Sequence, residues 1–277
     1  MRLRIVFAIT VGLALVVAAR AVRQPGSGVL DFMASQNNPP VAQVSPGAGP
    51  TPVLVELFTS EGCSSCPPAD ALLSQLGRMQ PVHGAELIVL EEHVDYWDRL
   101  GWKDPFSSEG MTQRQSEYAN AFGGQQVYTP QMVVDGRAEF VGSSERDAFG
   151  AVRTASETAK PAVKLAWTPD GQLAVSIQQL TNATRGETSD IYLAVTEGML
   201  QSNVQRGENS GRELKHDGVV RQLIRTGKIK YGSPQVSSTF AIRTMPEWNR
   251  ANLRAVIFVQ EQNSRRVLAA GEVRFPS

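Results

Sequence analysis

The segment LFTSEGCSSCPPAD, residues 57–70, holds the only two cysteines of the chain, three positions apart. Before it runs Val53-Leu54-Val55-Glu56-Leu57-Phe58, an apolar stretch of strand type that ends in the turn-forming Thr59-Ser60-Glu61-Gly62. After it, Leu72, Leu73, Leu76 and Met79 recur at the spacing of one helical face, and Pro67 and Pro68 stand near the start, where a missing N–H is tolerated. The dithiol is therefore expected where a strand hands over to a helix.

A structural staple, a metal clamp and a reactive pair are the three readings of such a dithiol. A disulfide across so small a ring restricts the unfolded chain by only about 2 kcal/mol, against ~4.7 kcal/mol for a hundred-residue loop, so it would staple almost nothing. A closed zinc site needs four ligands, and the only further soft donors are His83, His93 and His216, with no second Cys-x-x-Cys. Reactivity is the reading that remains.

The amino-terminal sequence sets the compartment. Arg2 and Arg4 precede an apolar run from Ile5 to Ala19, followed by Ala19-Arg20-Ala21, a step of the cleavage-site type. Fifteen apolar residues fall short of the ~20 that span a bilayer, so residues 1–21 are expected to be a cleaved export signal, with an uncleaved anchor as the alternative. Residues 22–52, rich in Pro, Gly, Ser, Gln and Asn, are expected to be a disordered linker. A periplasmic or secreted protein follows, in a compartment where disulfides persist. With 27 basic and 27 acidic residues the chain has no net charge to draw it to nucleic acid or an anionic membrane; its partners are expected to be proteins or small molecules.

Beyond the first helix, Glu86–Leu90 reads as a second strand, parallel to the first because a helix separates them. A polar and aromatic stretch, EEHVDYWDRLGWKDPFSS, leads to a helix over 108–122 closed by Gly123-Gly124. Val127-Tyr128-Thr129-Pro130 opens a strand over 131–134, Asp135-Gly136 turns it into another over 137–141, and a helix capped by Ser143 or Ser144 reaches about Lys160. The expected order is β-α-β-α-β-β-α. If the third strand is antiparallel, the Cys63–Cys66 turn, the loop from His93 to Ser108, and Tyr128-Thr129-Pro130 meet at one edge of the sheet. From Pro161 onward alternating strands and turn signals predict a second, β-rich domain over 161–277, a small antiparallel sandwich. RGENSGRELKHDGVVRQL, residues 206–223, interrupts it with Glu208, Asn209 and His216, either as a solvated loop or as a substrate or partner contact.

The Cys-x-x-Cys between strand and helix, and the later Thr-Pro that opens an antiparallel strand, resemble the thioredoxin fold over about 53–160. More closely, ELFTSEGCSSCPPAD, HVDYWDRLGWKDPFSS and VYTPQMVVDG resemble a bacterial exported thioredoxin-like family catalogued as a domain of unknown function. The resemblance implies Cys63 as the exposed attacking thiol, Cys66 as the resolving thiol, and a cis Pro130 beside them that frees the Thr129 backbone to pair with substrate. It also implies a buried acid near the resolving thiol, a place that Glu56 takes unless it is a strand-end glutamate reaching water. The Ser64-Ser65 dipeptide and Pro67-Pro68 differ from thioredoxins, which leaves the direction of electron flow open.

His93, Asp95, Trp97, Asp98 and Trp102 are expected to overhang the dithiol, with Trp97, Trp102 and Tyr128 as substrate contacts or as a lid packed on the core. The functional expectation is an exported thiol–disulfide oxidoreductase. It would act on protein or small thiols with a redox donor or acceptor protein, and would need no cofactor beyond the Cys63–Cys66 disulfide. A copper or zinc module with Cys63, Cys66 and His93 as ligands, and a non-catalytic interaction module, are the alternatives.

Overall fold

The apolar run before the cysteines forms β1 (Thr51–Thr59), whose last seven residues are buried in the computed structural model, which describes residues 49–124 and 126–276. The strand begins inside the segment that composition assigned to the linker; the export-signal reading of 1–21 and the linker to residue 48 lie outside the described residues. Then come α1 (Pro67–Met79), β2 (Ala85–His93), α2 (Glu109–Ala121), β3 (Gln131–Val134), β4 (Ala138–Val141) and α3 (Glu145–Ser156), the predicted order. β1 pairs with β2 in parallel and with β3 antiparallel, and Asp135-Gly136, both at positive φ, make the tight turn into β4.

Side chains alternate across β1 and sort the helices. Val53, Val55 and Leu57 pack with Leu72, Leu73 and Leu76 of α1 and with Ala148 and Val152 of α3. Leu54 and Phe58 point the other way, Phe58 toward Tyr118 of α2. Cys66 is the residue before α1, so Pro67 stands at the first helical position and removes no helix hydrogen bond.

The carboxyl-terminal half sends four of its nine strands into the first sheet. It supplies β5 (Val163–Trp167), β6 (Leu173–Ile177), β7 (Thr188–Glu197), β8 (Leu200–Asn203), β9 (Glu213–His216), β10 (Val219–Lys230), β11 (Val236–Phe240), β12 (Leu253–Glu261) and β13 (Val267–Arg274). One eight-stranded mixed sheet runs β13-β12-β7-β10-β2-β1-β3-β4. The seam is short: Val219 of β10 lies beside Glu91 of β2, and the Glu91 N–H donates to the Gly218 carbonyl at 2.8 Å. Gly218 has φ 77°, and a Cβ there would stand 2.9 Å from the Val89 carbonyl oxygen, so only glycine fits the crossing.

The expected sandwich exists in reduced form. A three-stranded antiparallel sheet, β11-β6-β5, packs Leu173, Val175 and Ile177 against Leu193, Val195, Ile257 and Val259 of the large sheet. β8 and β9 pair with each other apart from both. Among the described residues no helix is long and apolar enough to cross a membrane.

β2 runs past its predicted end at Leu90 through Glu91, Glu92 and His93, all buried. On the α2 face, Glu92 and Glu56 share the guanidinium of Arg114. Its Nε donates to Glu56 Oε1 at 2.7 Å and lies 3.3 Å from Glu92 Oε1, and its Nη1 donates to Gln260 Oε1 at 3.1 Å. The Tyr118 hydroxyl donates to Glu56, and Gln260 Nε2 donates to that hydroxyl at 2.7 Å. Burial pushes the Glu92 carboxyl well up against the pull of Arg114. Glu56 therefore faces away from α1 and its dithiol, in the even-numbered register of β1, and is not the acid that the thioredoxin resemblance implies.

This clamp has a measurable consequence. Arg114→Ala would leave the buried Glu56–Glu92 pair without its cation and should cost about 3–5 kcal/mol in urea denaturation. Adding Glu56→Gln should recover part of the loss; an exposed-site cost of under about 0.5 kcal/mol would contradict the pairing.

Candidate functional site

The sulfurs of Cys63 and Cys66 are joined as a disulfide, with Cα atoms 5.5 Å apart. The turn that holds them is closed by its own backbone: Cys63 N–H donates to Ser60 O at 3.1 Å, and Cys66 N–H to Cys63 O at 3.2 Å. The amides of Ala69 and Asp70 donate to Cys66 O at 2.8 and 3.1 Å and begin α1. Ser64 and Ser65 are exposed, but both cysteines have 0% exposed surface, which corrects the expected exposure of Cys63.

The polar phrase after β8 helps to cover them. Asn209, itself buried, donates through Nδ2 to the carbonyls of Glu61 and Cys63, both at 2.9 Å. Glu208 Oε2 accepts the Ser64 N–H at 2.9 Å. A Cβ on Gly207 would lie 3.2 Å from the Trp102 Cβ, and one on Gly62 would lie 3.2 Å from the Trp97 Cβ, so both close approaches depend on glycine.

The expected meeting of three loops occurs. Trp97 Nε1 donates to Thr129 Oγ1 at 2.8 Å, and the Thr129–Pro130 bond is cis. Pro130 and Ala69 of α1 flank Gly142, where a Cβ would stand 3.2 Å from each of their Cβ atoms. Trp102 Nε1 donates to Glu61 Oε2 at 2.7 Å. Both half-buried indoles thus commit their N–H groups within the protein and wall the turn. Asp95 accepts from Thr112 Oγ1 at 2.5 Å and Asp98 from Ser107 Oγ at 2.8 Å, which knits the loop rather than the dithiol. Tyr128 turns its hydroxyl to Glu139 at 2.8 Å, and burial with that carboxylate raises the phenol's pKa.

Beneath the turn, on the α1 face, acids and histidines alternate in a closed circuit. Asp104 Oδ2 meets His93 Nδ1 at 2.7 Å, and His93 Nε2 lies 3.4 Å from Glu91 Oε1. That oxygen meets His216 Nδ1 at 2.6 Å, and His216 Nε2 lies 3.4 Å from Glu61 Oε1. The Glu61 N–H donates back to Asp104 Oδ2 at 2.8 Å. Burial opposes charge on both rings, but Asp104 outweighs it at His93, which is pushed up to about 10, and Glu91 with Glu61 outweighs it at His216, which is pushed up to about 11. Burial likewise opposes ionisation of Glu91 and Asp104, yet the imidazoliums hold both carboxyls below the usual range. Asp70, one helical turn past Cys66, accepts the Thr59 hydroxyl at 2.6 Å; burial first, then the charge on Glu91, push it up to about 7.

The sulfur-based metal set that the sequence left as an alternative is not assembled: His93 directs its two nitrogens to Asp104 and Glu91, and the sulfurs are bonded to each other. Glu61, Asp70, Glu91 and Asp104 were not singled out by the sequence. The available signal was the run Glu91-Glu92-His93, three ionisable residues directly after a buried apolar strand.

A family model described as "Protein of unknown function (DUF1223)" matches residues 54–260. Among solved structures, protein AGR_C_4864 from Agrobacterium tumefaciens is 22% identical, with a TM-score of 0.66, over 83% of this chain and 97% of that one. The structure titled HBP35 of Porphyromonas gingivalis is 16% identical, with a TM-score of 0.57, over 83% and 76%. At such identities the likeness is one of fold. No curated protein matches the chain.

The cover over the disulfide can be loosened selectively. Asn209→Ala leaves two carbonyls without their donor, a loss of about 1–2 kcal/mol that would raise the open population roughly ten-fold. Iodoacetamide should then alkylate Cys63 of the reduced protein correspondingly faster. An unchanged rate, with the fold verified by circular dichroism, would mean that residues 206–212 do not control access.

Proposed function

The chain belongs to the family of proteins of unknown function (DUF1223), and from the chemistry of its dithiol turn we propose that it is an exported thiol–disulfide oxidoreductase whose first half is thioredoxin-like. The observation that carries this reading is the Cys63–Cys66 disulfide at the junction of β1 and α1. Its ring is too small to add much stability, whereas a strand-to-helix turn keeps two sulfurs poised for exchange. The element order, the antiparallel β3 and the Thr129-Pro130 entry into it support the thioredoxin-like reading.

In the reducing direction the Cys63 thiolate attacks one sulfur of a substrate disulfide, and the other substrate sulfur leaves as a thiolate. The Cys66 thiolate then attacks the Cys63 sulfur, releases the second substrate thiol and restores the intramolecular disulfide. Two electrons pass from dithiol to substrate; a protein or small-molecule thiol serves as substrate, and a redox partner protein returns or removes the electrons. The oxidising direction is the reverse. Asp70 takes the role first given to Glu56: it lies one turn beyond Cys66 on α1, buried, and is half ionised near neutrality, so it can accept the resolving thiol's proton.

Incubated with thiol-bearing periplasmic extracts, Cys66→Ser should trap mixed disulfides through Cys63, and Cys63→Ser should not. Equal trapping by both would remove the assigned order of attack. In an insulin-reduction assay the wild-type rate should rise with pH through about 7 as Asp70 ionises. Asp70→Asn should lose that rise and slow turnover by on the order of 10²-fold; a wild-type pH profile in the variant would take Asp70 out of the mechanism.

A further inference from the structure

We propose that Glu91, His93 and His216 form a buried site for one divalent transition-metal ion of the zinc type, built without the cysteines. One candidate ligand atom from each lies within 4.8 Å of the others, and all three side chains have no exposed surface. His93 is held by Nδ1 on Asp104 Oδ2 at 2.7 Å, which leaves its buried Nε2 without a hydrogen-bond partner and 3.4 Å from Glu91 Oε1. A buried ring nitrogen left without a partner calls for an explanation. A carboxylate on the other ring nitrogen is the arrangement by which proteins orient a metal-binding imidazole.

His216 has the same two kinds of partner with the distances reversed. One nitrogen lies 2.6 Å from the same Glu91 oxygen, and the other faces Glu61 Oε1 at 3.4 Å, itself buried and without a partner. Each ring therefore has Glu91 before it and a second carboxylate behind it. On binding, the ion displaces the protons that both rings otherwise carry, and its two positive charges take over the balancing of Glu61, Glu91 and Asp104. Two imidazoles and one carboxylate are donors suited to zinc and its neighbours in the first transition row. Three protein ligands leave the fourth position to water, and the ion would join β2 to β9 and, through the His216–Glu61 contact, brace the turn before Cys63.

The test uses the full chain carrying Cys63→Ser and Cys66→Ser, which removes sulfur as a ligand and separates this site from the redox reading. After chelator treatment and dialysis against zinc chloride, elemental analysis should find one zinc per chain. X-ray absorption should show a nitrogen and oxygen shell at about 2.0–2.2 Å with scattering from two imidazoles. His93→Gln and His216→Gln should each abolish stoichiometric zinc, and Asp104→Asn should weaken binding roughly 10–100-fold. Should the histidine variants fail to fold, the absorption spectrum of the serine chain decides. No zinc above an unrelated control protein, zinc retained in full by both folded histidine variants, or a shell lacking imidazole would overturn the proposal.

Discussion

Three consecutive ionisable residues, Glu91, Glu92 and His93, end the fifth strand of an eight-stranded sheet, and all three are buried. Because successive strand residues face opposite sides, neither layer of the protein escapes the cost of burying charge. Removing an ion from water costs several kcal/mol, so each must be met by a charge of opposite sign or by well-placed donors. The α2 layer answers with Arg114, and the α1 layer answers with His216 and Asp104. Much of the remaining architecture delivers those partners: the loop between β2 and α2 carries Asp104 inward, and β9 carries His216 across more than a hundred residues of sequence.

That requirement also explains why the two halves of the chain share one sheet. β10 touches β2 at a single registered pair, Val219 with Glu91, a thin seam by hydrogen bonding alone. The Glu91 carboxylate reinforces it by accepting from the Asp217 N–H at 2.9 Å as well as meeting His216. The ion pairs at the end of β2 thus do what a long ladder would otherwise do. The disulfide turn inherits its geometry from the same source, since Glu61 belongs to the circuit by backbone and side chain and lies two residues before Cys63.

Local signals made the first half legible. The apolar run before the cysteines, the helical spacing of Leu72, Leu73 and Leu76, and the Asp135-Gly136 turn each depend on neighbours in sequence, and each element stands as read. The reading of β2 stopped at Leu90 because a run of charge after an apolar strand normally means that water has been reached. Here it means the reverse, and only distant partners make it so. Glu56 failed for a related reason: its distance from Cys63 along the chain is visible, but the face of β1 it occupies is set by strand register, and that face belongs to Arg114.

By itself the sequence determined the dithiol's setting between a strand and a helix, the β-α-β-α-β-β-α order, and the convergence of three loops at one sheet edge, because hydrophobic period, turn residues and strand direction act over short range. Tertiary structure alone decided that the carboxyl-terminal strands extend the first sheet, that Asn209 and Glu208 hold the turn over a buried disulfide, and that two histidines and three carboxylates close a circuit beneath it. Those outcomes rest on pairing buried charge and on satisfying backbone carbonyls between residues far apart in the chain, and such pairings leave no periodic trace in a sequence.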